Sequence, residues 1–175
     1  MWKRIIGLVT AFALVGCSSV RVSDYQGREP EFDPEEFFNG TLVAEGVVLS
    51  RGGKVNRYFT ATIDARWDDQ SGVLDEVFQW NDGERQTRIW RFERVGPRHF
   101  QGTAGDVVGT ADMRYEGSAV NMAYVLEVPL SNGRTIQVKM DDWLYQTSDN
   151  TLINVTEMTK FGFRIGEVVL TMRRL

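Results

Sequence analysis

Two residue types that carry much of protein chemistry are nearly missing from this chain: it has one cysteine, Cys17, and one histidine, His99. A single cysteine excludes an internal disulfide, and a free thiol in a secreted domain would be a liability. A single histidine excludes a multi-histidine metal site and leaves one place around which a Ser-His-acid triad could be built. His99 comes just after the turn signal Gly96-Pro97, which reads as a strand-edge or surface position. Phosphate loops, dinucleotide fingerprints and Cys-x-x-Cys pairs are also lacking, so no cofactor and no metal is expected. Basic clusters are absent: 20 Lys and Arg stand against 24 Asp and Glu, a net charge of −4. That balance argues against nucleic acid or anionic headgroups as main partners. Runs of helical period are missing too, which turns attention to strands.

What is present begins with an export signal. Met1-Trp2-Lys3-Arg4 supplies a basic start, and Ile5 to Val15, apolar or small apart from Thr10, supplies a short hydrophobic segment. It is too short for a membrane-spanning helix, which needs roughly 20 residues. The ending Leu14-Val15-Gly16-Cys17 resembles the bacterial lipobox, in which the thiol receives diacylglycerol before cleavage ahead of the cysteine. The resemblance implies a lipoprotein signal peptide over residues 1–16, lipidation of Cys17 and attachment to a membrane through that anchor. Several acyl chains on one residue anchor more firmly than a single chain does. Ser18 at the next position resembles lipoproteins sent on to the outer membrane, so its periplasmic face is the expected location. Residues 17–32 lack periodicity and read as a lipidated tether. Residues 33–175 read as one domain.

Within that domain Asp33-Pro34-Glu35-Glu36 predicts a short helical turn, with Asp33 as cap, Pro34 at the first position and two acids near the positive helix end. Phe37 and Phe38 would plug one end of the β domain. From Gly40 the pattern changes to period two, most plainly in Phe59-Thr60-Ala61-Thr62-Ile63-Asp64-Ala65-Arg66-Trp67. Runs near 41–50, 55–67, 73–81, 85–95, 99–104, 107–116, 119–130, 134–145, 150–159 and 162–173 give nine or ten strands. Asp82-Gly83 and Asn132-Gly133 between them predict tight type I′ hairpins. The fold class is all-β, an up-and-down antiparallel β-barrel, with a β-sandwich as the alternative. Glycines such as Gly46, Gly102 and Gly166 within strands read as bulges or bends.

Four local patterns carry a resemblance to a known family: Phe37-Phe38-Asn39-Gly40 with Gly46 beyond it; Gly102-Thr103-Ala104-Gly105-Asp106-Val107-Val108-Gly109; Asp141-Asp142-Trp143; and Asn154 with Lys160-Phe161-Gly162. With the lipobox they resemble an uncharacterised family of Gram-negative lipoproteins, a domain of unknown function. That resemblance implies a lipocalin-like barrel and brings no established activity. Gly40-Thr41-Leu42 departs from the Gly-x-Trp that true lipocalins carry on the first strand.

Candidate ligand-binding residues come from the strand pattern. Trp80, Trp90, Phe92, Tyr124 and Trp143 are aromatic residues on predicted strands, and aromatic walls suit either a filled core or a ligand pocket. Arg91, Asn121 and Asn154 are candidate polar groups among them. Asp106 is unusual in a glycine-rich strand region; it either accepts backbone N–H bonds in a tight turn or faces a ligand. Of Asp141 and Asp142 at most one faces the interior, and a buried carboxylate there needs a partner such as Arg88, Arg91 or Arg114. No catalytic residue is assigned, and acid–base chemistry by two carboxylates on a glycan is the weaker enzyme reading. The favoured reading is a lipid-anchored barrel that binds a lipid, fatty acid or other small apolar ligand. The alternative is a structural lipoprotein with a filled barrel that docks an envelope partner.

Overall fold

The computed structural model describes residues 19–130 and 132–175, so Cys17 and the expected signal peptide lie outside the described residues. Ten strands succeed one another: β1 (Gly40–Ser50), β2 (Val55–Trp67), β3 (Ser71–Trp80), β4 (Arg85–Gly96), β5 (His99–Thr103), β6 (Ala111–Glu116), β7 (Ala119–Pro129), β8 (Thr135–Ser148), β9 (Thr151–Lys160) and β10 (Phe163–Arg174). Each pairs antiparallel with the next, and β10 returns to β1, from Leu42↔Arg174 to Ser50↔Gly166. Closure leaves no free sheet edge. The molecule is therefore an up-and-down barrel and not a sandwich.

Strand β2 shows why these residues form it. Phe59, Ala61, Ile63, Ala65 and Trp67 are buried, while Thr60, Thr62, Asp64 and Arg66 are exposed. An apolar inside and a charged outside is the reverse of a membrane-spanning barrel. At the hairpins Gly83 and Gly133 adopt φ of +89° and +77°, Asp82 does not take positive φ, and the closing bonds run from Trp80 N–H to the Glu84 carbonyl at 2.9 Å and from Leu130 N–H to the Arg134 carbonyl at 2.7 Å. These connections are longer loops closed by a left-handed glycine, not the two-residue turns expected. Both central residues have positive φ at Phe161-Gly162, the two-residue link between Lys160 and its partner Phe163.

Gly46 and Gly102 are not bends. Each lies directly across from an aromatic residue, Phe59 and Phe92, and a Cβ there would come within 2.7 and 2.5 Å of the ring. Gly72 faces Trp67 in the same way, at 2.1 Å. The missing side chains make room for large rings inside a narrow barrel. Gly166 does accompany a register shift, opposite Met158. The strand expected at 107–116 starts only at Ala111. The preceding residues form a loop against β7: Glu127 N–H donates to the Asp106 carbonyl at 2.8 Å, Val108 N–H to the Val125 carbonyl at 2.9 Å, and Val107 bridges to Leu126.

One end of the barrel is closed by aromatic packing. Asp33 caps α1 (Pro34–Phe37), its carboxylate accepting from Glu35 N–H at 2.9 Å, as its sequence predicts. This turn carries Phe37 and Phe38 into the barrel, where Phe38 meets Trp67 with ring centroids 5.4 Å apart and Trp67 meets Phe100 at 5.0 Å. Phe32 joins them, edge-on to Tyr115 at 5.6 Å, and its N–H donates to the Gly117 carbonyl at 2.8 Å. Part of the stretch read as tether is thus packed on the barrel. A 3₁₀ turn (Val22–Tyr25) lies against β6 and β7, and Tyr25 packs on the outer-wall rings of Trp143 and Tyr145.

Candidate functional site

Inward-facing side chains do not fill the space above this plug. A cavity of about 540 Å³ occupies the barrel and reaches the other end, where Arg57, Glu84, Glu127 and Pro129 line it. Its walls are largely apolar, with Phe59, Phe78, Trp80, Trp90 and Phe92 on one side and Met113, Met140 and Met158 on the other. The aromatic side chains pack on one another: Trp90 on Phe92 at 5.5 Å, edge-on to Tyr124 at 5.3 Å, and Trp80 on Phe59 at 5.0 Å.

A polar group is set into this apolar wall. Arg88 on β4 donates through Nε and Nη2 to the Asp106 carboxylate at 2.8–3.0 Å. Its Nη1 lies 3.8 Å from Glu76 Oε2, close enough for charge attraction but too far for a hydrogen bond. On the β7–β8 side, the Tyr124 hydroxyl donates to Asp142 Oδ2 at 3.2 Å. Next to it the Thr156 hydroxyl donates to Asn154 Oδ1 at 2.9 Å. Glu76 Oε2 and Asp142 Oδ1 are buried and receive no hydrogen bond from the described residues.

The electrostatics arise from this burial. Desolvation pushes the Glu76 carboxyl up to about 7, against the pull of Arg88 and with the repulsion of Asp106, Asp142 and Asp75. Desolvation likewise pushes Asp142 up to about 6, although the Tyr124 hydroxyl and the charge of Arg88 favour its charged form; the single Thr156 proton is already given to Asn154. The Tyr124 phenol is held well above its ordinary range by burial and by Asp142, so it remains a donor. Burial pulls Arg88 down, but the Asp106 hydrogen bonds and the Glu76 charge more than offset it, and the guanidinium stays charged.

Of the residues singled out by sequence, Trp80, Trp90, Phe92, Asp106, Tyr124, Asp142 and Asn154 line the cavity together. Arg91, Asn121 and Trp143 do not, because each is next in sequence to an inward residue and alternation turns it outward. Arg91 is exposed. Asn121 donates on the outside to Asp141 Oδ1 at 2.6 Å, and Trp143 packs against Tyr25. Asp106 does sit in a tight turn, closed by Val107 N–H donating to the Ala104 carbonyl at 3.1 Å, but its carboxylate accepts from Arg88 and not from backbone N–H groups. His99 pairs with Asp112 at 2.5 Å on the outer wall, away from the cavity. Glu76 was missed. Period two could have found it, since Leu74, Glu76, Phe78 and Trp80 share one face, as Arg88 does with Trp90 and Phe92.

A solved structure of EF1p2_mFAP2b bound to DFHBI is similar to this chain, with 9% identity, a TM-score of 0.43, and coverage of 79% of this chain and 94% of that one. No match is found among curated proteins. Residues 11–174, which take in every strand of the barrel and all the cavity residues, match the family described as "Protein of unknown function (DUF3833)", and the chain belongs to that family.

Proposed function

We propose that the protein is a lipid-anchored carrier: a lipocalin-like barrel, tethered through Cys17 to the periplasmic face of the outer membrane, that holds a small apolar or amphipathic molecule. The observation that carries this reading is the cavity of about 540 Å³ with its aromatic wall and convergent polar groups. Ligand pockets run from about 300 to 1,000 Å³ with this kind of lining. A filled barrel that acts only by docking has no use for such a space, which favours the carrier over the structural alternative. Residues 22–38 pack at the plugged end, so an anchor at Cys17 directs the mouth away from the membrane that holds it. Ligand exchange is then with the periplasm.

The test uses the chain from residue 17 onward, with Cys17→Ser to keep it in solution. Native mass spectrometry without detergent is expected to show a co-purifying small molecule. The neutral probe N-phenyl-1-naphthylamine is expected to fluoresce on entering the barrel. A clean apo mass together with no probe uptake would overturn the carrier reading.

A further inference from the structure

The polar group in the cavity is unbalanced toward acceptors. Arg88 commits two of its nitrogens to Asp106, and its third stands 3.8 Å from Glu76. That leaves Glu76 Oε2 and Asp142 Oδ1 without donors among the described residues, on side chains of residues that are each only 7% exposed. Buried acceptors are almost always paired, so two orphans facing one cavity mark a place where donors are to be supplied. Three carboxylates against one guanidinium also leave the region negative when all are ionised. The walls suit a cation as well. Arg88 already lies over the rings of Phe78 and Trp90, at 5.6 and 6.0 Å, which shows that these faces accept positive charge.

We propose that the ligand is an amphiphile with a positively charged, N–H-bearing head, an alkylammonium or related amine. The head lies between Glu76 and Asp142, and the chain lies among the apolar residues. This rests on the carrier reading and narrows it. A fatty acid brings a further negative charge and no donor to the orphaned oxygens, so the fatty acid expected from the sequence gives way to an amine. Glu76 is faced by Arg88 from β4, Asp106 from the β5–β6 loop, Tyr124 from β7 and Asp142 from β8, with Asp75 beside it on β3. Among these the two orphaned carboxyls titrate near neutrality, at about 7 and about 6, so an ammonium head meets their charged forms as the pH rises.

Displacement of N-phenyl-1-naphthylamine by decylammonium, decanol and decanoate separates the possibilities, since the three share one chain and differ in the head. At pH 8 decylammonium is expected to displace the probe at a concentration at least tenfold below that of decanoate, with decanol between. Its affinity should fall at least fivefold at pH 5.5. The double variant Glu76→Gln, Asp142→Asn, checked for folding by circular dichroism and melting, should reduce the ammonium-to-carboxylate ratio to below threefold. Decanoate binding as well as decylammonium, or a ratio that survives in the double variant, overturns the amine proposal and leaves the carrier reading standing. Failure of the probe and all three compounds to bind overturns both.

Discussion

Replacing Glu76 by glutamine should stabilise the barrel, and increasingly so as the pH rises. The carboxyl titrates near 4.5 in the unfolded chain and at about 7 in the folded one, where burial disfavours its charge. Below pH 4.5 both states hold the proton, and ionisation costs folding nothing. Between 4.5 and 7 the folded state keeps a proton that the unfolded state has released, so stability falls as the pH rises through this window. Above 7 the loss is complete. At about 1.4 kcal/mol per pH unit, the interval amounts to about 3 kcal/mol in total. Glutamine has the same shape and no charge to bury, and Arg88 keeps its bonds to Asp106. Urea unfolding monitored by tryptophan fluorescence at pH 4.5, 6 and 8 measures the effect. The stability difference between Glu76→Gln and the native chain should grow by about 3 kcal/mol from the lowest pH to the highest. Asp142 adds its own decline, between 3.8 and about 6, to both proteins and so cancels in the comparison. Parallel pH profiles for the two proteins, or a variant that loses ground at pH 8, would refute the reasoning. A gain in stability with loss of amine binding is what a functional group held at a cost to folding predicts.

Asp106→Ala strands the buried Arg88 with only the distant Glu76 and should cost about 3 kcal/mol, read as a melting point lower by roughly 6–12 °C; an unchanged melting point would contradict the ion pair. Gly72→Ala places a Cβ 2.1 Å from the Trp67 ring and should destabilise by about 1–3 kcal/mol, whereas alanine at the unobstructed Gly52 should be near neutral, which paired urea curves will show. Phe32→Ala removes a fully buried ring from the plug and should cost about 3–5 kcal/mol, with faster proteolysis ahead of residue 38. Cys17→Ala in the intact precursor should block lipid attachment and leave uncleaved protein, visible by gel mobility and radiolabelled palmitate; a fully processed, soluble variant would rule out the lipobox reading.

Alternation along single strands was legible without any structure, because the β period is local: a residue's parity is set by its neighbours within one strand. From that come the ten runs, the inward set of β2 and the rule that only one of Asp141 and Asp142 can face inside. The Asp33-Pro34 cap was legible for the same reason, since every interaction it needs lies within a few residues. Parity also held the means to exclude Arg91, Asn121 and Trp143, each beside a residue now in the cavity wall, and to include Glu76. What it could not provide is which strand lies across from which residue. Arg88 and Asp106 meet because β4 and the β5–β6 loop approach the same depth of the barrel, and Asp142 joins Tyr124 through the register of β7 on β8. The cavity itself is a property of closure. Ten strands enclose more space than their inward side chains fill, rings opposite Gly46, Gly72 and Gly102 take some of it, and Phe32, Phe37 and Phe38 seal one end. Each of those terms is a contact between residues far apart in the chain, and only the closed sheet brings them to one place.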